Sequence, residues 1–281
     1  MTRGDKELHC LERVKRYVFP DVSNPTAEDA DMSLLYSSAF GFSSEDWQEF
    51  CSVLVAAEPN SKPNEFPDFI SRDSLFEHFE ISATQEGRKG STFKRKYEPF
   101  LKSVYEEAKD AAASDELKTI ARAFSYPDRK HELLLDSLKR NLGSHIESFE
   151  TYAASHEVAT LVFIIELQEH GLSMIENIYD EVGSGRVFGD IREQQKFDNY
   201  RLSRDKEALE LLHAFADEID IVIFAGVDDV EIIKLCEIPN MLRLLPWPFV
   251  IAAGPTIERH SFLPVIQTIE EVTEQEEYEQ D

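Results

Sequence analysis

The sequence feature that most constrains the fold is an apolar run, residues 158–168, that ends in Glu166-x-Gln168. Every residue of its centre, 162–165, is apolar, which is typical of a strand buried on both faces. The run therefore predicts a central strand of a sheet, although an apolar segment this short also fits a buried helix. Because burying a bare carboxylate is costly, Glu166 must be hydrogen-bonded, ion-paired or used in chemistry.

A second segment, residues 66–82, predicts two short strands that carry polar residues. Asp68 belongs to the first of these strands. Side chains alternate between the two faces of a strand, which places His78 and Glu80 on one face of the second strand and Glu77 on the other. So many charged and polar side chains are unusual for two short strands and indicate a functional site on them.

Three carboxylates converge if these two segments supply neighbouring strands. Glu80 and Glu166 would then lie near one end of the sheet, with Asp68 on the adjoining strand. Hard cations such as Mg²⁺ prefer oxygen ligands and bind through one or two carboxylates plus substrate phosphates. We therefore expect a Mg²⁺ or Mn²⁺ site at these residues that polarises a phosphate and activates water. The alternative is that the three acids cap strand ends in solvent or pair with Lys and Arg.

The rest of the chain alternates helices and strands, which predicts an α/β domain with a mixed sheet flanked by helices. The predicted elements are a helix within 1–24, a helix that starts at a capping box at 43–46 and ends near 59–63, strands at about 65–71 and 74–82, helical residues 93–154 broken near 125–127, a loop or short strand around 174–189, a helix from about 203, a strand at 219–225, a helix at 228–237 and a last strand at 248–253. This order predicts an N-terminal helical segment (1–42), an α/β domain (43–268) with a helical insertion at about 93–154, and an acidic disordered tail (269–281).

Composition limits the classes of protein that this chain can belong to. Its 281 residues, 42% of them hydrophobic, are enough for a sizeable core. The 55 acidic and 29 basic residues give a net charge of -26, which argues against a general nucleic-acid coat protein but not against an enzyme with a local basic groove. Three distant cysteines form no metal-binding spacing and no disulfide framework. Without a signal peptide or an apolar run of membrane-spanning length, we expect a cytoplasmic protein with no membrane partner.

The arrangement of the acidic strands resembles the PD-(D/E)XK nuclease superfamily. The resemblance covers residues 44–82 and 158–225, with 93–154 as an insertion. Glu166-x-Gln168 stands in place of the acid-x-Lys element, and Glu80, or Asp68 in the literal Pro67-Asp68, stands in place of the upstream acid. The resemblance implies a restriction-endonuclease-like core, in which a helix precedes three antiparallel strands, a further helix and a fourth strand. It also implies metal-dependent hydrolysis of phosphodiester bonds.

In this resemblance Gln168 replaces the expected Lys, so another residue must supply the cation. Arg201, Arg204 and Lys206 open the predicted helix after the third strand. The catalytic set implied by the resemblance is Glu80, Glu166, Gln168 and one of these cations, for which we select Lys206.

A basic segment, residues 88–96, stands out in a chain of opposite net charge. It contains five cations and no acid, and glycines at 87 and 90 make it a flexible turn that leads into a helix. We expect this segment to contact the phosphates of a nucleic acid, whose anionic groups also suit a helix N-terminus. A solvated turn that pairs with the surplus acids is the alternative. The five cations are Arg88, Lys89, Lys94, Arg95 and Lys96.

Two hypotheses for function follow from these features. The first is a divalent-metal-dependent nuclease-like hydrolase that acts on DNA or RNA. The second is a non-catalytic acidic protein that binds or inhibits a basic protein partner through its negative surface. Under the second hypothesis, Glu80 and Glu166 only make structural hydrogen bonds, because fold alone does not determine function.

Overall fold

The computed structural model describes most of the chain. The described residues are 3–20, 22–62, 65–87, 90–113, 122–125, 127–167, 169, 172–179, 191–244, 250–253 and 256–262. Three residues of the predicted site, Arg88, Lys89 and Gln168, and the acidic tail 269–281 lie outside these ranges.

Six α-helices and thirteen strands are present in the described part of the chain. The helices are α1 (Arg3–Val18), α2 (Ser44–Val55), α3 (Thr92–Ala113), α4 (His131–Ala153), α5 (Lys206–His213) and α6 (Ile238–Leu244). The strands are β1 (Ala39–Phe40), β2 (Glu58–Pro59), β3 (Phe69–Ser71), β4 (Ser74–Glu80), β5 (Glu86–Gly87), β6 (Gly90–Ser91), β7 (Thr160–Glu166), β8 (Ser173–Tyr179), β9 (Ile191–Phe197), β10 (Ile221–Ala225), β11 (Val230–Lys234), β12 (Val250–Ala253) and β13 (Thr256–Phe262).

A seven-stranded mixed sheet forms the centre of the fold, with the order β1-β11-β10-β7-β4-β3-β2. The predicted central position of β7 is confirmed, and β4 is its direct neighbour. Strands β4, β7 and β10 run parallel to one another, whereas β3 pairs antiparallel with β4 and β11 pairs antiparallel with β10. The resemblance to the nuclease superfamily implied antiparallel pairing between the strands of Glu80 and Glu166. The observed pairing is parallel because α3 and α4 form a long crossover connection between β4 and β7.

Hydrophobic residues cover both faces of this sheet, which explains why β7 is apolar at successive positions. On one face, Phe76, Val162 and Ile164 pack against α1 and α2. On the other face, Leu161, Phe163 and Ile165 pack in a core with α4 and α5. Helix α1 is therefore part of the α/β core, although the sequence predicted a separate N-terminal helical segment. The buried residues of α1 are Cys10, Leu11, Val14 and Val18.

Local sequence signals correctly predicted several helix boundaries. Helix α2 starts after the Ser43 cap, whose hydroxyl accepts a hydrogen bond from Asp46 N at 3.1 Å, while the Asp46 carboxylate accepts one from Ser43 N. The helical region 93–154 is divided into α3 and α4 as the break near 125–127 predicted. Helix α5 begins at Lys206, because Asp205 accepts hydrogen bonds from two backbone N–H groups in its first turn.

Two predictions in the second half of the chain were wrong. Residues 228–237 were predicted as a helix, but Val230–Lys234 is strand β11, followed by a single 3₁₀ turn. The apolar residues of β11 are buried on both faces of the sheet, and this burial outweighs the helical spacing. The strand predicted at 248–253 is β12, but it is not the last strand, because β13 follows it. Strands β12, β13, β8 and β9 form a second sheet that the sequence did not predict.

None of the helices within the described ranges is both long enough and apolar enough to cross a membrane.

Candidate functional site

Two of the three predicted acids, Glu80 and Glu166, lie at the carboxyl ends of parallel strands. Glu80 at the end of β4 is the register partner of Glu166 at the end of β7, and Glu166 is in turn paired with Ala225 at the end of β10. In α/β sheets, ligands bind in the crevice outside the carboxyl ends of parallel strands. The topology therefore places two of the three predicted carboxylates at the edge where a ligand site is expected.

Glu166 is a buried carboxylate with both oxygen atoms engaged. Its Oε2 lies 3.0 Å from His78 Nε2, and its Oε1 accepts a hydrogen bond from Arg13 at 3.1 Å. The same guanidinium donates to the backbone carbonyls of Ala225 and Val227, each at 3.3 Å. Arg13 thereby joins α1 to the ends of β7 and β10, and the cost of burying the Glu166 charge is offset by an ion pair.

Cys10 completes a compact group around Glu166. The Cys10 thiol, one His78 ring nitrogen and one Glu166 carboxylate oxygen all lie within 4.8 Å of one another, and all three residues are buried. We call these three residues the Cys–His–Glu cluster. Within the described ranges, no other group of three His, Cys, Asp or Glu residues is as close. The sequence did not predict this cluster, because its cysteine comes from α1 and has no partner at metal-binding spacing.

The surroundings of His78 favour its charged form. Burial lowers its pKa, but hydrogen bonds and charge interactions with Cys10 and Glu166 outweigh burial and raise the pKa to about 10. The pairing is consistent with this direction, because a carboxylate at 3.0 Å stabilises the imidazolium. The charge of Glu166 is therefore balanced by two cations, His78 and Arg13.

Glu80 faces a solvent-accessible pocket and pairs with a lysine of the predicted basic segment. Lys94, in the first turn of α3, donates a hydrogen bond to Glu80 Oε2. The two side chains are 35% and 28% exposed, so a ligand can reach both. The pocket has a volume of about 440 Å³, and we call it the Glu80–Lys94 pocket. It is lined by Lys6, Glu7, His78, Phe79, Glu80, Lys94 and His145.

A second lysine, Lys6 of α1, adds positive charge to the Glu80–Lys94 pocket. Its ammonium group donates to Glu98 of α3 at 2.7 Å. This hydrogen bond raises the pKa of Lys6, burial opposes the increase, and the charges of Glu80 and Glu166 add to it. Two lysines and a partly exposed carboxylate therefore meet in one pocket, a combination that suits a phosphate group and a hard cation.

Asp68, the third predicted carboxylate, lies beside β4 and bonds to the backbone of that strand. Its Oδ2 accepts a hydrogen bond from His78 N at 2.8 Å, so the side chain continues the strand pairing where β3 is too short. Its own N–H donates to Glu77 Oε2, and Glu77 Oε1 lies 2.7 Å from His145 Nδ1. Burial, followed by the charge of Glu77, raises the pKa of Asp68 to about 7. Asp68, Glu80 and Glu166 do not form one group with ligand atoms within 4.8 Å.

The cations predicted to replace the missing lysine are engaged elsewhere. Lys206 lies 3.6 Å from Glu210 within α5. Arg201 pairs with Asp229 at 3.1 Å, and Arg204 lies 3.7 Å from Glu176. Among the described cations, Arg13 of α1 contacts Glu166 and Lys94 of α3 contacts Glu80, so both cations come from helices before β7.

Of the three cations in the described part of the basic segment, Lys94 lines the pocket, and Arg95 and Lys96 are exposed at the surface. Lys94 binds Glu80, as described above. Arg95 donates to Thr92 Oγ1 at 2.9 Å and is exposed, and Lys96 is also exposed. Lys94 is thus placed next to Glu80 at the carboxyl end of β4, and its predicted contact with phosphate stays a prediction.

Three site residues from α1 were missed from the sequence. Lys6, Cys10 and Arg13 are spaced four and three residues apart, so they share one face of the helix. The helix was predicted from its apolar residues, and the shared face of Lys6, Cys10 and Arg13 was not recognised. The signal was present in the sequence, but nothing local showed which strand ends the stripe would meet.

Comparison of this chain with known proteins gave no relatives. No protein-family model, no curated protein and no solved structure matches it.

Proposed function

We propose that this chain is a divalent-metal-dependent, nuclease-like hydrolase whose active site is the Glu80–Lys94 pocket. The observation that carries the proposal is the placement of Glu80 beside Glu166 at the ends of two parallel strands, with Lys94 paired to Glu80. A carboxylate next to a lysine at such an edge fits hydrolysis of a phosphodiester, in which charge develops on phosphate oxygens.

Glu80 is the carboxylate best suited to a hard cation. Its side chain is 28% exposed and has a lysine partner that can be exchanged, whereas both oxygens of Glu166 are held by Arg13 and His78. Mg²⁺ binds in proteins through as few as one or two carboxylates together with substrate phosphates. When bound by Glu80, Mg²⁺ or Mn²⁺ would polarise the phosphate and lower the pKa of a water molecule.

The lysines of the pocket neutralise the substrate. Lys94 exchanges its bond to Glu80 for a phosphate oxygen, and Lys6 supplies a second positive charge from α1. Exposed Arg95 and Lys96 continue this positive charge along the first turn of α3 and contact the nucleic-acid backbone. Such contacts position a substrate without reading its sequence. Local cations are needed because the net charge of -26 repels nucleic acid.

A hydrolysis assay with matched variants tests this proposal. Single- and double-stranded DNA and RNA are incubated with the protein in Mg²⁺, in Mn²⁺ or in a chelator. We expect cleavage only with metal, and a loss of about 100-fold or more in Glu80→Gln and Lys94→Gln. The matched control is Glu106→Gln, which removes an exposed glutamate that pairs with Lys102 on α3 far from the pocket.

The rival function is an acidic protein that binds a basic protein partner. The net charge of -26 is the observation that favours it. If none of the four nucleic acids is cleaved with either metal, the hydrolase proposal fails. Salt-sensitive binding to a basic polypeptide that Glu80→Gln leaves unchanged would then support the rival.

A further inference from the structure

We propose that the Cys–His–Glu cluster binds a divalent cation of the zinc class, at a site next to the Glu80–Lys94 pocket, which His78 also lines. The site would join α1, which supplies Cys10, to the central strands β4 and β7, which supply His78 and Glu166. This inference goes beyond the proposed hydrolase, because its cation, its ligands and its role are different.

The ligand types and distances fit zinc. Zn²⁺ is bound by thiolate, imidazole and carboxylate groups, and in tetrahedral sites neighbouring ligand atoms are about 3.4–3.6 Å apart. His78 Nε2 and Glu166 Oε2 are 3.0 Å apart, and all three ligand atoms lie within 4.8 Å of one another. Shifts of about 1 Å or less would therefore bring the three atoms around one ion. Its binding would release the proton between His78 and Glu166 and the proton of the Cys10 thiol to solvent.

Arg13 hydrogen-bonds the Glu166 carboxylate, as residues around metal ligands commonly do. It bonds Glu166 Oε1 at 3.1 Å and leaves Oε2 directed at His78. Its guanidinium also lies 3.9 Å from the Cys10 sulfur. A donor that touches two ligands from outside fixes their orientation and stabilises their negative charges, and such contacts change metal affinity by about 10- to 100-fold. The guanidinium therefore contacts two of the three ligand residues, and Glu166 Oε2 and His78 Nε2 are the atoms that it does not contact.

Burial and sulfur chemistry select the ion. The side chains of Cys10, His78 and Glu166 are each at most about 5% exposed. A thiolate prefers zinc-class ions to Mg²⁺, which prefers oxygen ligands. His78 also lines the Glu80–Lys94 pocket, through which an ion can enter and a water molecule can fill the fourth position. The bound ion would stabilise the packing of α1 on the strand ends.

The experiment measures metal binding by the full-length chain and does not depend on hydrolytic activity. The purified protein is stripped with a chelator, dialysed against Zn²⁺ and analysed for bound metal. A parallel sample is loaded with Co²⁺, whose absorption in the near ultraviolet reports a thiolate ligand. The variants are Cys10→Ser and, as matched control, Cys51→Ser, which alters another fully buried cysteine in the same core.

We expect one Zn²⁺ per chain and a cobalt–thiolate band in the unaltered protein and in Cys51→Ser. Cys10→Ser should bind Zn²⁺ at least 100-fold more weakly and lack the band. A tenfold excess of Mg²⁺ should not displace the zinc. The proposal fails if the unaltered protein retains no stoichiometric zinc, if its cobalt complex lacks the thiolate band, or if Cys51→Ser loses zinc as Cys10→Ser does. If Cys10→Ser does not fold, the cobalt spectrum of the unaltered protein decides alone.

Discussion

At the scale of single residues, the buried carboxylates of this chain are satisfied in two ways. Glu166 is balanced by charge, since Arg13 and His78 both contact it. Glu231 is satisfied by neutral donors, since it accepts hydrogen bonds from the hydroxyl and the N–H of Ser203. Burial raises the pKa of Glu231, and the Ser203 hydrogen bonds and the charge of Arg201 oppose that increase. The two environments predict that loss of the carboxylate charge affects stability far more at Glu166 than at Glu231.

Replacing Glu166 with Gln should destabilise the protein. From the sequence alone, relief of carboxylate repulsion predicts unchanged or higher stability, but the ion pair with Arg13 and the bond to His78 reverse that expectation. We expect the free energy of unfolding to fall by about 3 kcal/mol, because two cations lose their buried partner. Urea denaturation at pH 7 measures the change.

The matched control for this variant is Glu231→Gln, which should be nearly neutral, because an amide can still accept from Ser203. Equal losses of stability in the two variants would contradict the charge-based account of Glu166.

Asp68 should make stability depend on pH. Its pKa is about 7 in the folded protein against a usual value of 3.8, because of burial and the charge of Glu77. The native state therefore holds a proton that the unfolded chain has released, so stability should fall as pH rises from about 4 to about 7. Because Asp68 is partly exposed, we expect the free energy of unfolding to fall by on the order of 2 kcal/mol, which is less than the full change in the pKa of Asp68 would give.

Asp68→Asn separates this effect from other titrations. Asn keeps an oxygen that can accept from His78 N but cannot lose a proton. Denaturation curves of both proteins at pH 4, 5, 6, 7 and 8 should diverge with increasing pH, and the variant should be the more stable above pH 7. A constant difference across this range would show that Asp68 does not titrate in it.

At the scale of elements, three of the five cations of α3 lie close to its N-terminus. Lys94, Arg95 and Lys96 lie there, whereas Lys102 and Lys109 lie further along the helix. If the first turn contacts phosphates, Arg95→Gln with Lys96→Gln should weaken nucleic-acid binding alike for all sequences. The slope of log affinity against log salt should flatten by about one unit per lost contact. Binding measured at two salt concentrations tests this expectation.

The matched control for the α3 variant is Lys102→Gln with Lys109→Gln, which removes the same charge from the same helix. If both double variants weaken binding equally, net charge rather than a phosphate contact explains the effect.

At the scale of the whole molecule, a strongly acidic chain gathers cations at one edge of its sheet. Lys6, Arg13, His78 and Lys94 come from three separate elements and meet at the carboxyl ends of β4 and β7. The net charge of -26 repels polyanions at a distance, and salt weakens that repulsion. The molecule therefore combines a large negative net charge with a group of four cations at one edge of the sheet, and the proposed substrate binding should depend on these cations.

The sequence by itself determined the elements whose signals are local. The apolar run predicted the central strand, strand alternation placed His78 and Glu80 on one face, and the Ser43–Asp46 box located the start of α2. These features depend on residues that are near one another in the chain. Burial overrode local spacing at β11, because helical and strand periodicity cannot be separated in a short apolar segment.

Only the tertiary structure decided which side chains meet. Arg13 and Glu166 are 153 residues apart in the sequence, and His78 and Glu166 are 88 apart. Their contacts arise because β4 and β7 pair in parallel, in a register set by sheet burial, while the apolar face of α1 packs across the strand ends. Such contacts depend on the packing of whole elements. For that reason Glu166 was predictable as a residue that needed partners, but Cys10 and Arg13 were not predictable as those partners.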